Sequence, residues 1–189
     1  MMRSVLLQGG YIFNTGTNIW SRSEYCGIAY SDGDEIEQRI GQIVATAKDL
    51  SVLSNELRNH CTDWPSSYHL SGVRANILRP FEPGLGGDIL EIGAGCGAIT
   101  RYLGECGANV LALEGSLRRA AIARSRTHDQ SNVVVVAEQF DQFRIERKFD
   151  VITLIGVLEY AGLFATHEHP ALAMLERARS RLKPDGKLI

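Results

Sequence analysis

Residues 88–100 read DILEIGAGCGAIT, an acidic and otherwise apolar run that passes into three alternating glycines, Gly93, Gly95 and Gly97. The first five residues have the composition of a buried strand. Glycines let the backbone turn sharply and leave no side chain between it and a bound nucleoside. A helix-forming stretch follows over 98–106. Strand, glycine turn and helix together form the opening unit of a doubly wound α/β sheet, in which a ligand sits beyond the carboxyl ends of the strands.

Downstream the alternation continues. Strands are expected at 109–113, 133–137 and 149–155, helices at 116–126 and 170–182, and a fifth strand opens at Lys187. The runs VVVV and VITLI are too apolar for a sheet with one wet face, which calls for a parallel sheet covered on both sides. The expected fold class is therefore α/β, a Rossmann-like doubly wound parallel sheet. The chain stops at Ile189 just as the fifth strand begins, so it reads as truncated there or as one part of a longer protein.

Upstream, residues 11–30 are rich in aromatic and β-branched types around the turn NTGTN, which predicts a small hairpin. Apolar residues from Ile36 to Leu57 recur at helical spacing, predicting one long amphipathic helix that ends near Asn59. Trp64-Pro65 is expected to interrupt the helical pattern, and 68–79 to resume it before the glycine-rich linker 83–87. This divides the chain into an N-terminal hairpin and helical cap, 1–82, and a core, 83–189. An apolar helix stripe more often packs on its own domain than on a partner.

Composition bounds the function. The 189 residues carry 20 basic and 22 acidic side chains, a formal charge of −2. No sequence-wide field draws nucleic acid or an anionic membrane. The apolar run 5–7 is too short for a signal-peptide core and no stretch approaches a bilayer span, so the expected location is cytoplasmic, with no membrane partner. Cys26, Cys61, Cys96 and Cys106 lack the paired spacing of a metal site, and no metal is expected.

The glycine loop alone fits a dinucleotide as well as other nucleosides. Its charges discriminate. A pyrophosphate at the helix N-terminus would be repelled by Glu91, two residues before Gly93, and no lysine or arginine lies between Asp88 and Thr100. A ligand with cationic sulfonium and ammonium groups tolerates that acid far better. Glu114 ends the second strand, where an acid accepts hydrogen bonds from ribose hydroxyls.

Glu91-x-Gly93-x-Gly95-x-Gly97 resembles the first signature of the class I S-adenosylmethionine-dependent methyltransferases, and the matches run in order to Ile189. The resemblance implies S-adenosylmethionine as cofactor, with S-adenosylhomocysteine as product. It implies cofactor contacts from Glu91, Gly93, Ala94, Gly95, Cys96, Gly97 and Thr100 in the first unit, and from Glu114, Gly115 and Ser116 in the second. After the third strand it implies Glu138 or Gln139 at the adenine amino group and Phe140 on the ring, and after the fourth, Ile155, Gly156 and Val157. The turn Leu182-Lys183-Pro184-Asp185-Gly186 resembles the one that precedes the family's fifth strand, with Asp185 in place of a glycine.

Methyl transfer depends chiefly on positioning and exclusion of water, so a protein base is optional. His69, Glu159 and Tyr160 are the candidates for one, with His167 and His169 behind them. Tyr68 and His69 draw attention because an element before the core often folds over the cofactor in this family. The tetrapeptides that the family uses on amino groups of bases are absent at 155–158, which points to a small-molecule, sugar or lipid acceptor. The alternatives are a cofactor-binding fragment without activity and an NAD-dependent oxidoreductase. A second copy of the chain, or the remaining C-terminal part of a longer one, is the expected protein partner.

Overall fold

The computed structural model describes residues 2–164 and 168–189. Seven strands form one sheet: β1 (Ile12–Asn14), β2 (Ile19–Ser21), β3 (Asp88–Ile92), β4 (Asn109–Glu114), β5 (Val133–Ala137), β6 (Phe149–Thr153) and β7 (Leu182–Leu188). Their spatial order is β1-β2-β5-β4-β3-β6-β7. Among the described residues pairing is parallel from β2 to β7, and β1 pairs with β2 antiparallel. The order reverses after β3, which places the crevice for a ligand at the carboxyl ends of β3 and β6.

Alternation along the strands serves two cores. Ile89, Val110, Ala112, Val133, Val135 and Val151 face α5 (Ala98–Glu105) and α6 (Leu117–Arg126), packing on Ile99, Leu103, Ala120 and Ala123. Leu90, Ile92, Leu111, Leu113, Val136 and Ile152 face the other way, onto Leu6 of α1 (Met2–Gln8), Phe140, Phe143 and Met174 of α8 (Pro170–Ser180), which follows the short α7 (Ala161–Phe164). Each fully buried aliphatic side chain contributes about 1.5–3 kcal/mol, so loss of alternation on any central strand would be costly. The doubly wound fold read from the sequence is the fold observed.

The hairpin β1–β2 continues the sheet, with Trp20 opposite Val136 and Ser21 opposite Ala137. The single helix expected over 36–59 is instead two. Here α2 (Asp34–Thr46) stops before Asp49-Leu50-Ser51, and α3 (Asn55–Asn59) restarts after it. Short polar side chains that bond local backbone compete with helix there. Asp49 Oδ1 accepts from Ser51 N at 2.9 Å, Ser54 caps α3 by accepting from Leu57 N at 3.1 Å, and Glu56 Oε2 accepts from Lys48 N at 2.9 Å.

Trp64-Pro65 does not interrupt a helix but opens one. Asp63 and Ser66 form a reciprocal capping box, and Pro65 sits at the start of α4 (Trp64–Leu70), where a missing N–H costs nothing. Residues beyond Ser71 form two 3₁₀ turns, Gly72–Ile77 and Arg79–Gly84, in place of the helix expected to Arg79. Strand β6 ends at Thr153, two residues early, and α8 ends at Ser180. Strand β7 begins at Leu182, five residues before the expected start, because Leu182 pairs with Phe149 and Lys187 with Val151 across an irregular turn.

A third apolar cluster joins cap to core: Ile40 and Val44 of α2, Leu57 of α3 and Leu70 of α4 pack against Cys96 and Ile122. The four cysteines are free thiols. No helix among the described residues is long and apolar enough to cross a membrane.

Candidate active site

The glycine loop is pinned from below. Gly93 N and Ala94 N both donate to the Leu113 carbonyl at 2.9 Å, and Gly97, at φ 82°, starts α5. Positive φ is needed at all three glycines, 78°, 55° and 82° in order. Their surroundings differ. A Cβ on Gly93 would lie 2.5 Å from Val157 Cγ2 and one on Gly97 2.8 Å from Ala123 Cα, whereas a Cβ on Gly95 meets nothing within 4 Å. Gly95 therefore faces open space at the crest of the loop.

Two buried carboxylates lie behind this crest. Glu114 Oε2 accepts from Gly95 N at 2.7 Å and Oε1 from Ser116 N at 2.8 Å, so one side chain ties the loop to the start of α6. Burial raises its pKa and the two backbone amides oppose that. Glu91 is 3% exposed, and its Oε2 has no hydrogen-bond partner among the described residues. Burial pushes its carboxyl up to about 7, with the neighbouring Thr100 hydroxyl pulling the other way and Glu114 adding to the rise. An orphaned carboxylate oxygen in a protein interior is a vacancy for a donor or a cation.

A small cavity of about 30 Å³ opens beside Glu91, lined by Gly93, Ala94, Gly95, Cys96 and Ile155 from the core and by Tyr68, His69 and Arg74 from the cap. It adjoins a larger one of about 300 Å³. The larger cavity brings together Gly93, Gly95, Glu114, Gly115, Glu138, Gln139, Phe140, Gly156 and Val157, and with them His69, Glu159 and Tyr160. Gly97, Thr100 and Ser116 line neither: Gly97 packs on Ala123, Thr100 is fully buried beside Glu91, and Ser116 caps α6. His169 is exposed at the start of α8, and His167 lies outside the described residues.

Glu138 is only 1% exposed and its carboxylate is engaged on the side of the hairpin. Arg22 donates to it twice, from Nε to Oε2 at 2.8 Å and from Nη2 to Oε1 at 2.9 Å, and the Tyr11 hydroxyl adds a bond at 3.0 Å. Gln139 and Phe140 also line the cavity, and Phe140 carries the Arg177 guanidinium 5.5 Å from its ring centre.

On the cap side, His69 Nε2 bonds Asp32 Oδ2 at 2.6 Å, and Asp32 in turn pairs with Arg119 at 2.8 Å. Burial is the main cause that lowers the His69 pKa, opposed by the bond to Asp32. Arg119 Nε also donates to the buried Glu37 at 2.7 Å. About two turns further along α6, Arg126 holds the His69 carbonyl with Nη1 and the Leu70 carbonyl with Nη2 at 3.2 Å. Two arginines of one helix thus fix the cap over the cavity.

The sequence reading missed Arg74, Asp32, Tyr30, Trp64 and Arg119, all of which line the cavities. Arg74 matters most. Its guanidinium lies 3.8 Å from the Tyr68 ring centre and faces the small cavity that holds Glu91. No local motif marks it, because a 3₁₀ turn packed on α5 brings it there.

A doubly wound sheet, a glycine turn after its first core strand, and acids at the ends of β3 and β4 define a class I methyltransferase type of cofactor domain. A family model described as a methyltransferase domain matches residues 90–188, and the chain belongs to that family. It is 27% identical over 127 residues, 63% of this chain and 51% of the relative, to the ubiquinone biosynthesis O-methyltransferase of Actinobacillus pleuropneumoniae serotype 7 (strain AP76). The chain therefore spans about half the length of that curated relative. Among solved structures, a DhpI–SAH complex matches with TM-score 0.52 and 25% identity, covering 80% of this chain and 65% of that one. The N-methyltransferase NodS of Bradyrhizobium japonicum WM9, in complex with S-adenosyl-L-homocysteine, matches with TM-score 0.55 and 20% identity, over 82% and 71%, which is a likeness of fold.

Proposed function

We propose that the two cavities together hold S-adenosylmethionine and that the chain serves an enzyme that transfers its methyl group to a small-molecule acceptor, a sugar or a lipid among them. The observation that carries this reading is the small cavity. It brings an orphaned carboxylate oxygen, Glu91 Oε2, together with the Arg74 guanidinium, which makes no ion pair within 4.0 Å among the described residues but whose charge acts on Glu91, beside the open glycine crest. An amino-acid end, with one ammonium and one carboxylate, satisfies both charges. A pyrophosphate would meet the buried Glu91 directly.

In this reading Glu91 and Arg74 hold the methionyl end, and Glu114 receives the ribose with the lone pairs that Gly95 N and Ser116 N leave free. Gln139 and Phe140 hold the adenine, and Ile155 and Val157 close the floor. When bound, the cofactor supplies an electrophilic methyl group on a cationic sulfur. The chain orients it and excludes water, with Tyr68 and His69 on α4 as the cover.

Calorimetry tests this directly. S-adenosylhomocysteine is expected to bind and NADH not to. Gly95→Arg fills the open crest and Glu114→Ala removes the loop tie, and each is expected to weaken S-adenosylhomocysteine binding by about a hundredfold or more, as loss of charge-assisted bonds in a buried site predicts. Binding of NADH in place of S-adenosylhomocysteine would overturn the reading.

A further inference from the structure

Part of the lining of the larger cavity is aromatic. Trp64, although 67% exposed, stacks on Tyr68 with ring centres 5.1 Å apart and planes at 25°, and Tyr30 meets Tyr160 at 5.0 Å. Two of these rings already carry cations on their faces: Arg74 lies 3.8 Å from the Tyr68 centre and Arg119 4.9 Å from that of Tyr30. Arg119 is committed elsewhere as well, whereas Arg74 makes no ion pair among the described residues. Arg119 is paired with Glu37 and Asp32, and Arg74 is assigned above to the cofactor carboxylate.

The acids of the same space divide into two groups. Asp32 is neutralised by Arg119, Glu138 by Arg22, and Glu114 is held by backbone amides. Glu159 and Asp141 are exposed and make no ion pair or hydrogen bond among the described residues. Glu159 is also well placed: a Cβ on Gly156 would find the Tyr68 hydroxyl at 3.1 Å, Arg74 Nη2 at 3.7 Å and Glu159 Oε1 at 3.8 Å, so the carboxylate flanks the guanidinium assigned to the cofactor. This point lies at the end of β6, next to the glycine loop.

We propose that this aromatic part of the cavity, with Glu159, is the acceptor subsite and that the acceptor is a ring-bearing amine, bound as its cation between the aromatic side chains and Glu159. The proposal rests on the cofactor assignment above. Aromatic faces and the unpaired Glu159 carboxylate attract a cation, and with Arg74 on the cofactor carboxylate no other unpaired cation among the described residues lines the two cavities to receive a phosphate or carboxylate. For transfer, the ammonium gives one proton to Glu159, the nitrogen lone pair forms the new N–C bond as the S–C bond breaks, and the positive charge passes from sulfur to nitrogen. The product is again a cation.

The test uses the chain saturated with S-adenosylhomocysteine and three probes of one shape, benzylamine, benzyl alcohol and benzoate, titrated by calorimetry. Benzylamine is expected to bind about tenfold more tightly than benzyl alcohol, with benzoate weakest, and the margin to shrink at high salt. Glu159→Gln is expected to remove the margin while leaving benzyl alcohol and S-adenosylhomocysteine binding unchanged. Equal or tighter binding of benzoate, binding of none of the three, or a margin that survives Glu159→Gln would overturn the proposal. Failure of S-adenosylhomocysteine to bind would instead overturn the cofactor assignment.

Discussion

At the scale of single residues, Glu91 shows how burial sets chemistry. Its carboxyl is raised from 4.5 to about 7, so the folded chain without ligand holds a proton that the unfolded chain releases near pH 4.5. The contribution of this group is therefore fully present below pH 4.5 and is lost as pH rises through about 7, by about 3 kcal/mol in all. Chemical denaturation from pH 5 to 8 is expected to show that decline, and Glu91→Gln to flatten it. A ligand ammonium placed against Glu91 would restore its charge, so S-adenosylhomocysteine binding at pH 6.5 should release about three-quarters of a proton, read from calorimetry in buffers of different ionisation enthalpy. Gly97 makes a second prediction: Gly97→Ala adds a Cβ at positive φ and within 2.8 Å of Ala123 Cα, so Tm is expected to fall by several degrees. The acids and glycines of the loop were legible because each sits at a strand end within a short motif. Arg74, Asp32 and Arg119 were not, since only tertiary packing brings them to the cavity.

Among elements, the β1–β2 hairpin is tied to β5 by charge as well as by ladder. Arg22 and Glu138 are both buried, and their pairing raises the Arg22 pKa through the Glu138 bond. Removing one partner of such a pair leaves an uncompensated buried charge, a cost of about 3–5 kcal/mol. Arg22→Met is expected to lower stability by that order in denaturant titrations, and the double variant Arg22→Met/Glu138→Leu to recover most of it. An additive cycle would show that the two side chains do not act as a pair. Strands and helices of the core were legible from their periodicity. The helix over 36–59 was misread because Leu50, Leu53 and Leu57 keep the helical spacing, while Asp49, Ser51 and Ser54 use their side chains to break it. The α4 start was misread for a related reason: Pro65 was weighed as a breaker, and the Asp63–Ser66 capping box made it a first-turn proline.

On the scale of the whole molecule, the sheet order was legible as a doubly wound core but not in the place of the hairpin. Nothing in YIFNTGTNIW specifies a parallel neighbour more than a hundred residues away. That neighbour is found through Trp20 and Tyr11, which are buried in the same apolar cluster as Val136 and Phe140. Deleting residues 1–22 should bare the edge of β5 and strand Glu138, so the shortened chain is expected to aggregate or elute as oligomers in size-exclusion chromatography. A monomer of unchanged Tm would count against it. The same arrangement sets a schedule. Arg22 and Glu138 are 116 residues apart, so β1 and β2 leave a ribosome well before β5 and must wait for it before β2 can pair with it. At about 5–20 residues per second that interval is roughly 6–23 seconds, during which Tyr11, Phe13, Ile19 and Trp20 form a nascent apolar segment without the strand that later covers it.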